Sequence, residues 1–147
     1  MIWIVTANSN MCRFYHFDKH DVKVDLVKEL SHPLNKLKKS EYLTSDKPGH
    51  YETGGSGGGG AFSPHTDPKV VEIDNFAREI ARELNQGRNL NAYNHLMIIT
   101  ASHMNGLISK HLDKHVKELI THEIQKDVMS LSQHELITFL EKNINNP

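Results

Sequence analysis

Apolar residues recur along this chain in two rhythms, separated by a stretch that has neither. Ile2 to Ala7 is β-branched and aromatic, the composition of a buried strand. Asn8-Ser9-Asn10 is a turn cluster. Met11 to Phe17 alternates, with Cys12, Phe14 and His16 on one face and Arg13, Tyr15 and Phe17 on the other. Val22 to Leu30 opens with Val22, Val24 and Leu26 against Lys23 and Asp25, the pattern of a half-exposed strand. Short connections make these three an antiparallel meander.

The period lengthens at Asp67-Pro68, where Asp suits an N-cap and Pro a first helical turn. Ile73, Phe76, Ala77, Ile80, Ala81 and Leu84 recur at helical spacing and predict an amphipathic helix to about Gln86, with Gly87 as its stop. Leu96 to Ala101 is continuously apolar and reads as a central strand buried on both faces. A short helix over about Asn105 to Leu112 and a strand over Leu119 to Ile124 follow. Ser132-Gln133-His134-Glu135 is a capping box, opening a helix with Leu136, Phe139, Leu140 and Ile144 on its apolar face. The order β-β-β, long loop, α-β-α-β-α predicts a single α/β (α+β) domain over residues 1–147, a mixed sheet with helices packed on it.

The stretch without rhythm is a loop over about residues 31–66, punctuated by His32-Pro33, Lys47-Pro48-Gly49 and Ser63-Pro64. A loop of that length in a small domain is functional or disordered. Six of the chain's nine glycines fall between Gly54 and Gly60. Gly54-Gly55-Ser56-Gly57-Gly58 matches the G-x-S-x-G nucleophile elbow, but the elbow needs a strand just before and a helix just after, and this tract has neither. Gly55 to Gly60 matches G-x-G-x-x-G outside the first β-α turn that a dinucleotide site requires. Two readings stay open. One is a flexible linker; the other is a loop that orders against a partner, its bare N–H groups able to approach phosphates.

Charge narrows the partners. Of 147 residues, 17 are Lys or Arg and 18 Asp or Glu, for a net charge of -1, which argues against a strongly basic nucleic-acid module but leaves room for a local patch. One Cys excludes a disulfide framework and a Cys-rich zinc site. The N-terminus lacks the basic and apolar regions of a signal peptide, and no stretch approaches a membrane span, so a cytoplasmic protein is expected. There are 11 His. His111 and His115 have the spacing of two metal ligands on one helix face, and are read as solvated surface positions, with no metal. His50 and His65 flank the glycine tract, where protonated rings can meet phosphate. Arg78 and Arg82 lie one turn apart on the long helix and could form a phosphate-facing edge on an otherwise solvated charged face.

Ser45-Asp46-Lys47-Pro48-Gly49-His50, the Gly-rich tract, Thr66-Asp67-Pro68, Phe76-Ala77-Arg78-Glu79, Glu123-Ile124-Gln125-Lys126-Asp127-Val128 and Leu131-Ser132-Gln133-His134-Glu135-Leu136 occur in an order that resembles the bacterial host attachment proteins, the "protein required for attachment to host cells" family. That family is similar in fold to the central domain of archaeal and eukaryotic peptide-chain release factors, whose Gly-Gly-Gln loop precedes a long helix and enters the ribosomal peptidyl-transferase centre. Here Gly54-Gly55 is followed by Ser56, and the loop holds no Gln, so peptide-release chemistry does not carry over. The resemblance implies a non-enzymatic binding protein that contacts ribosome or tRNA, with Lys47, His50, Gly54, Gly55, Ser56, His65, Arg78 and Arg82 as candidate nucleic-acid contacts. Lys47 and His50 stand where the family usually has arginines. No catalytic residue and no cofactor are expected. The alternatives are a factor promoting attachment to host cells, a hydrolase using Ser56 or a His-based metal site, and an adaptor acting through protein contacts.

Overall fold

The structure, a computed structural model, describes residues 1–32 and 68–144. Among them are strands β1 (Ile2–Ala7), β2 (Met11–Asp18), β3 (Lys23–Ser31), β4 (His95–Thr100) and β5 (Ile120–Gln125). The helices are α1 (Pro68–Asn89), α2 (Ser102–His111), the single turn α3 (Lys114–Lys117) and α4 (Gln133–Ile144). The strands form one mixed sheet in the order β3-β2-β1-β4-β5. The meander β1-β2-β3 is antiparallel, whereas β1-β4 and β4-β5 are parallel. Parallel neighbours need crossovers, and helices supply both: α1 leads into β4, and α2 and α3 lie between β4 and β5. The single α+β domain expected from the sequence is what forms.

The alternation in the strands sorts the core into two layers. Val5, Ala7, Cys12, Phe14, Leu96 and Ile98 face α1 to α3, where Phe76, Ala77, Ile80, Ala81, Leu84, Met104 and Ile108 cover them. Ile4, Tyr15, Phe17, Val24, Met97 and Ile99 face the other way, onto Val128 and the α4 residues Leu136 and Leu140. β4 is therefore buried on both faces, although β1 rather than β4 holds the middle place in the sheet. The β2-β3 register shifts between Phe14 and Tyr15, which pair with Lys28 and Leu26 and leave Val27 as the extra residue of a bulge.

Local chemistry explains where the helices begin and end. α1 does not stop at Gly87. It runs to Asn89 and is closed by Asn91, whose φ of 57° is left-handed. The Ala92 N–H donates to Gly87 O at 2.8 Å and the Asn91 N–H to Arg88 O at 3.0 Å, the bond pair of a Schellman motif. Gly87 instead serves packing: a Cβ there would lie 3.0 Å from both the Trp3 and Tyr93 rings, which stack with centroids 4.9 Å apart. α4 opens with the expected reciprocal cap. The Ser132 N–H donates to Glu135 Oε1 at 2.8 Å, and the Glu135 N–H to Ser132 Oγ at 3.1 Å. α2 begins at Ser102, three residues earlier than its apolar spacing suggested, because the chain turns as soon as β4 ends.

Candidate cationic site on the helical face

Of the residues singled out in the sequence, Lys47, His50, Gly54, Gly55, Ser56 and His65 lie outside the described residues, as does the N-cap candidate Asp67. Arg78 and Arg82 are described, and both are exposed on α1. The chain that leads into residues 33–67 ends at His32. That residue is buried, its N–H bonded to Asn10 O at 2.8 Å and its ring 5.4 Å from Phe76 of α1. His32 thus sits beside α1, next to the turn that joins β1 to β2.

The structure sets Arg78 in a cluster that sequence spacing reveals only in part. Asp74, one turn earlier on α1, accepts from Arg78 Nη2 at 3.5 Å. Its Oδ1 accepts from His111 Nε2 at 3.0 Å and pairs with Lys110 Nζ at 3.7 Å, both from the last turn of α2. The hydrogen bond from His111, together with the charges of Lys110, His111 and Arg78, holds the Asp74 carboxyl below the usual carboxylate range. Asn85 ties the same two elements further along: its Oδ1 accepts the Asp113 N–H at 3.0 Å, and its Nδ2 donates to His111 O at 3.5 Å. One carboxylate therefore gathers two exposed cations and an imidazole, with Arg82 one turn beyond. A surface of this kind attracts anions and offers Arg78 and Arg82 for bidentate phosphate contacts. Elsewhere on α1, Glu83 pairs with Lys28 of β3 at 2.9 Å.

His111 and His115 do not share a helix face. α2 ends at His111, Leu112 is extended (φ -81°, ψ 143°), and His115 lies in α3, where its Nδ1 is 3.8 Å from Glu118 Oε1. Among the described residues no group of three or more His, Cys, Asp or Glu is gathered as a metal site would need. Cys12 is buried in the larger core layer, and burial raises its thiol pKa well above the ordinary value, so it is not a thiolate nucleophile at neutral pH. No helix of the described residues is long and apolar enough to cross a membrane.

A shallow groove of about 520 Å³ lies between β5 and α4, lined by Ile124, Lys126, Leu131, Phe139 and Lys142 among others. Lys126 Nζ sits 5.3 Å from the centroid of the Phe139 ring. Glu135, Thr138 and Asn143 also line it, but each already bonds within the α4 segment.

No curated protein matches the chain. Among solved structures, the archaeal translation termination factor aRF1 aligns with 97% of this chain and 38% of its own, at 10% identity and a TM-score of 0.49. The chain thus spans about two fifths of that protein's length, and a likeness at this level transfers no residue roles. Residues 3–140 match the family described as "Protein required for attachment to host cells", and the chain belongs to that family.

Proposed function

We propose that the protein is a non-enzymatic binding protein whose helical face contacts the phosphate backbone of a structured RNA, ribosome or tRNA. The observation that supports this reading is the gathering of Arg78, Lys110 and His111 around Asp74, with Arg82 one turn on. The whole chain is near neutral, so this local patch, rather than bulk charge, has to supply the affinity. The loop residues Lys47, His50, Gly54, Gly55, Ser56 and His65 belong to the same proposal as additional contacts. Co-sedimentation with ribosomes over a salt series tests it. Binding that falls steeply with salt and is lost in Arg78→Ala/Arg82→Ala supports the reading. Absence from the ribosomal pellet at every salt concentration overturns it.

The family's description favours a second reading, a factor that promotes attachment of bacteria to host cells. An adherence assay with a deletion strain, complemented by wild type or by the double arginine variant, separates the two. Full rescue by a variant that no longer binds RNA assigns attachment to a different surface.

A further inference from the structure

The start of α2 carries a second, independent set of anion ligands. β4 ends at Thr100, and α2 opens two residues later with Ala101 at its N-cap. Alanine has no side-chain acceptor, and no side chain caps this end. The first intrahelical bond is from the Asn105 N–H to Ala101 O at 3.0 Å, so the N–H groups of Ser102, His103 and Met104 have no hydrogen-bond partner among the described residues. Thr100 adds a separate observation. Its side chain is fully buried, and its Oγ1 has no hydrogen-bond partner. A buried hydroxyl in that condition costs free energy unless something completes it. Strand alternation places Thr100 with Leu96 and Ile98, on the face that carries α2, two residues before the first residue of the uncapped helix.

The topology puts these donors where open sheets with parallel strands bind ligands. β1 passes the chain to β2 on one side, and β4 passes it towards β5 on the other. The crevice between β1 and β4, at their C-terminal ends, is the switch point of the sheet. Ala7 and Thr100 are register partners there, and the Ala101 N–H donates to Ala7 O at 3.2 Å. Asn105 is not counted among the ligands, since its Nδ2 already donates to Glu123 Oε1 at 3.4 Å.

We propose that the Thr100 hydroxyl and the N–H groups of Ser102, His103 and Met104 form an oxyanion site that takes a phosphate group at the β1/β4 crevice. Helix N-termini favour anions through their free N–H groups and dipole, and the buried hydroxyl supplies a donor on the inner side. The site lies at the opposite end of α2 from Lys110 and His111, so it stands or falls separately from the RNA-binding reading.

The test is an amide NMR titration of the full chain with inorganic phosphate and, in parallel, with glycerol 3-phosphate, against sodium chloride at matched ionic strength. Saturable shifts at Ser102, His103 and Met104 with either phosphate, absent with chloride, are expected. Equal affinity for the two assigns a free anion, and tighter binding of the ester assigns the phosphate end of a larger molecule. Thr100→Val is expected to weaken phosphate about fivefold to tenfold, the effect of one lost hydrogen bond, while Thr100→Ser retains it. Because the hydroxyl has no partner in the unliganded protein, Thr100→Val should not lower the melting temperature measured without phosphate. The proposal is overturned if phosphate shifts no more than chloride does, if Thr100→Val binds phosphate like wild type, or if Thr100→Val melts markedly lower without phosphate.

Discussion

On one face of the sheet α1, α2 and α3 close over Val5, Ala7, Cys12 and Phe14. On the other, among the described residues, α4 and Val128 cover Ile4, Tyr15 and Phe17. The first face is cross-linked as well as packed, through the Asp74 cluster, the Asn85 bridge and the close approach of Gly87 to Trp3 and Tyr93. The second relies on the Ser132 cap and on Leu136 and Leu140, and leaves a groove open beside Phe139. The better-tied face also carries the charged residues. Packing that fixes α1 against α2 is what keeps Arg78 and Lys110 within reach of one carboxylate, so here rigidity and the cationic site have a common origin.

Truncating one large side chain in each layer should break this comparison most visibly. Phe76 and Leu140 are both essentially buried. Phe76→Ala should cost about 3–5 kcal/mol and Leu140→Ala about 2–3 kcal/mol, because a helix beside an open groove can relax into the space left behind. Urea unfolding of the two variants checks the ranking, and equal losses would remove the distinction between the faces. Two helical glycines sharpen it. At Gly87 a methyl group meets aromatic rings at 3.0 Å, so Gly87→Ala should lose about 1–3 kcal/mol despite alanine's better helix propensity. At Gly106 nothing lies within 4 Å, and Gly106→Ala should gain about 0.5–1 kcal/mol in the same measurement.

The contrast between those glycines also shows what could be read from the chain alone. Periodicity gave the strands of the meander, α1 and the apolar face of α4, and the Ser132–Glu135 box appears as its residues imply. The assignment of Gly87 as a helix stop failed because a glycine signal does not distinguish a left-handed backbone from a place where another side chain approaches closely. The stop belongs to Asn91, which tolerates the left-handed region through its short polar side chain. The reading of His111 and His115 as solvated positions on one helix face failed for a related reason: spacing of four has meaning only while the helix continues, and it breaks at Leu112, leaving His115 exposed while His111 turns in to Asp74. For the candidate site, the Asp74–Arg78 spacing was visible, whereas Lys110 and His111 arrive from another helix and leave no local signal. Thr100 could have been marked as the single hydroxyl closing an apolar run, but its missing partner is a tertiary fact.

Removing the cap should disturb the lightly tied face by less than the core changes do. Ser132→Ala loses the acceptor for the Glu135 N–H and is expected to cost about 1 kcal/mol, while Ser132→Asp should keep most of it. Hydrogen exchange should show the loss first in the opening turn of α4, and protection unchanged there would mean that packing through Leu136 already holds that turn.

The smallest expected effect belongs to the Asp74 cluster and is best seen as pH dependence. The folded carboxyl titrates below its unfolded value of about 3.9, so its contribution is complete above that value and is lost as pH falls through the folded one. Once protonated, Asp74 leaves Arg78, Lys110 and His111 facing one another without the anion between them. Exposed pairs of this kind contribute about 0.2–1 kcal/mol each, which sets the scale. Asp18 shares the acid range, since the N–H groups of Asp21 and His20 hold its carboxyl low as well, so wild type alone cannot assign the slope. Asp74→Asn can. Its stability deficit relative to wild type should be largest near pH 6 and shrink towards pH 3, in melting temperatures measured across that range at low salt. A deficit independent of pH would mean that the carboxylate's charge does not tie α1 to α2, and no deficit at any pH would mean that hydrogen bonding to His111, which asparagine can still accept, does that instead.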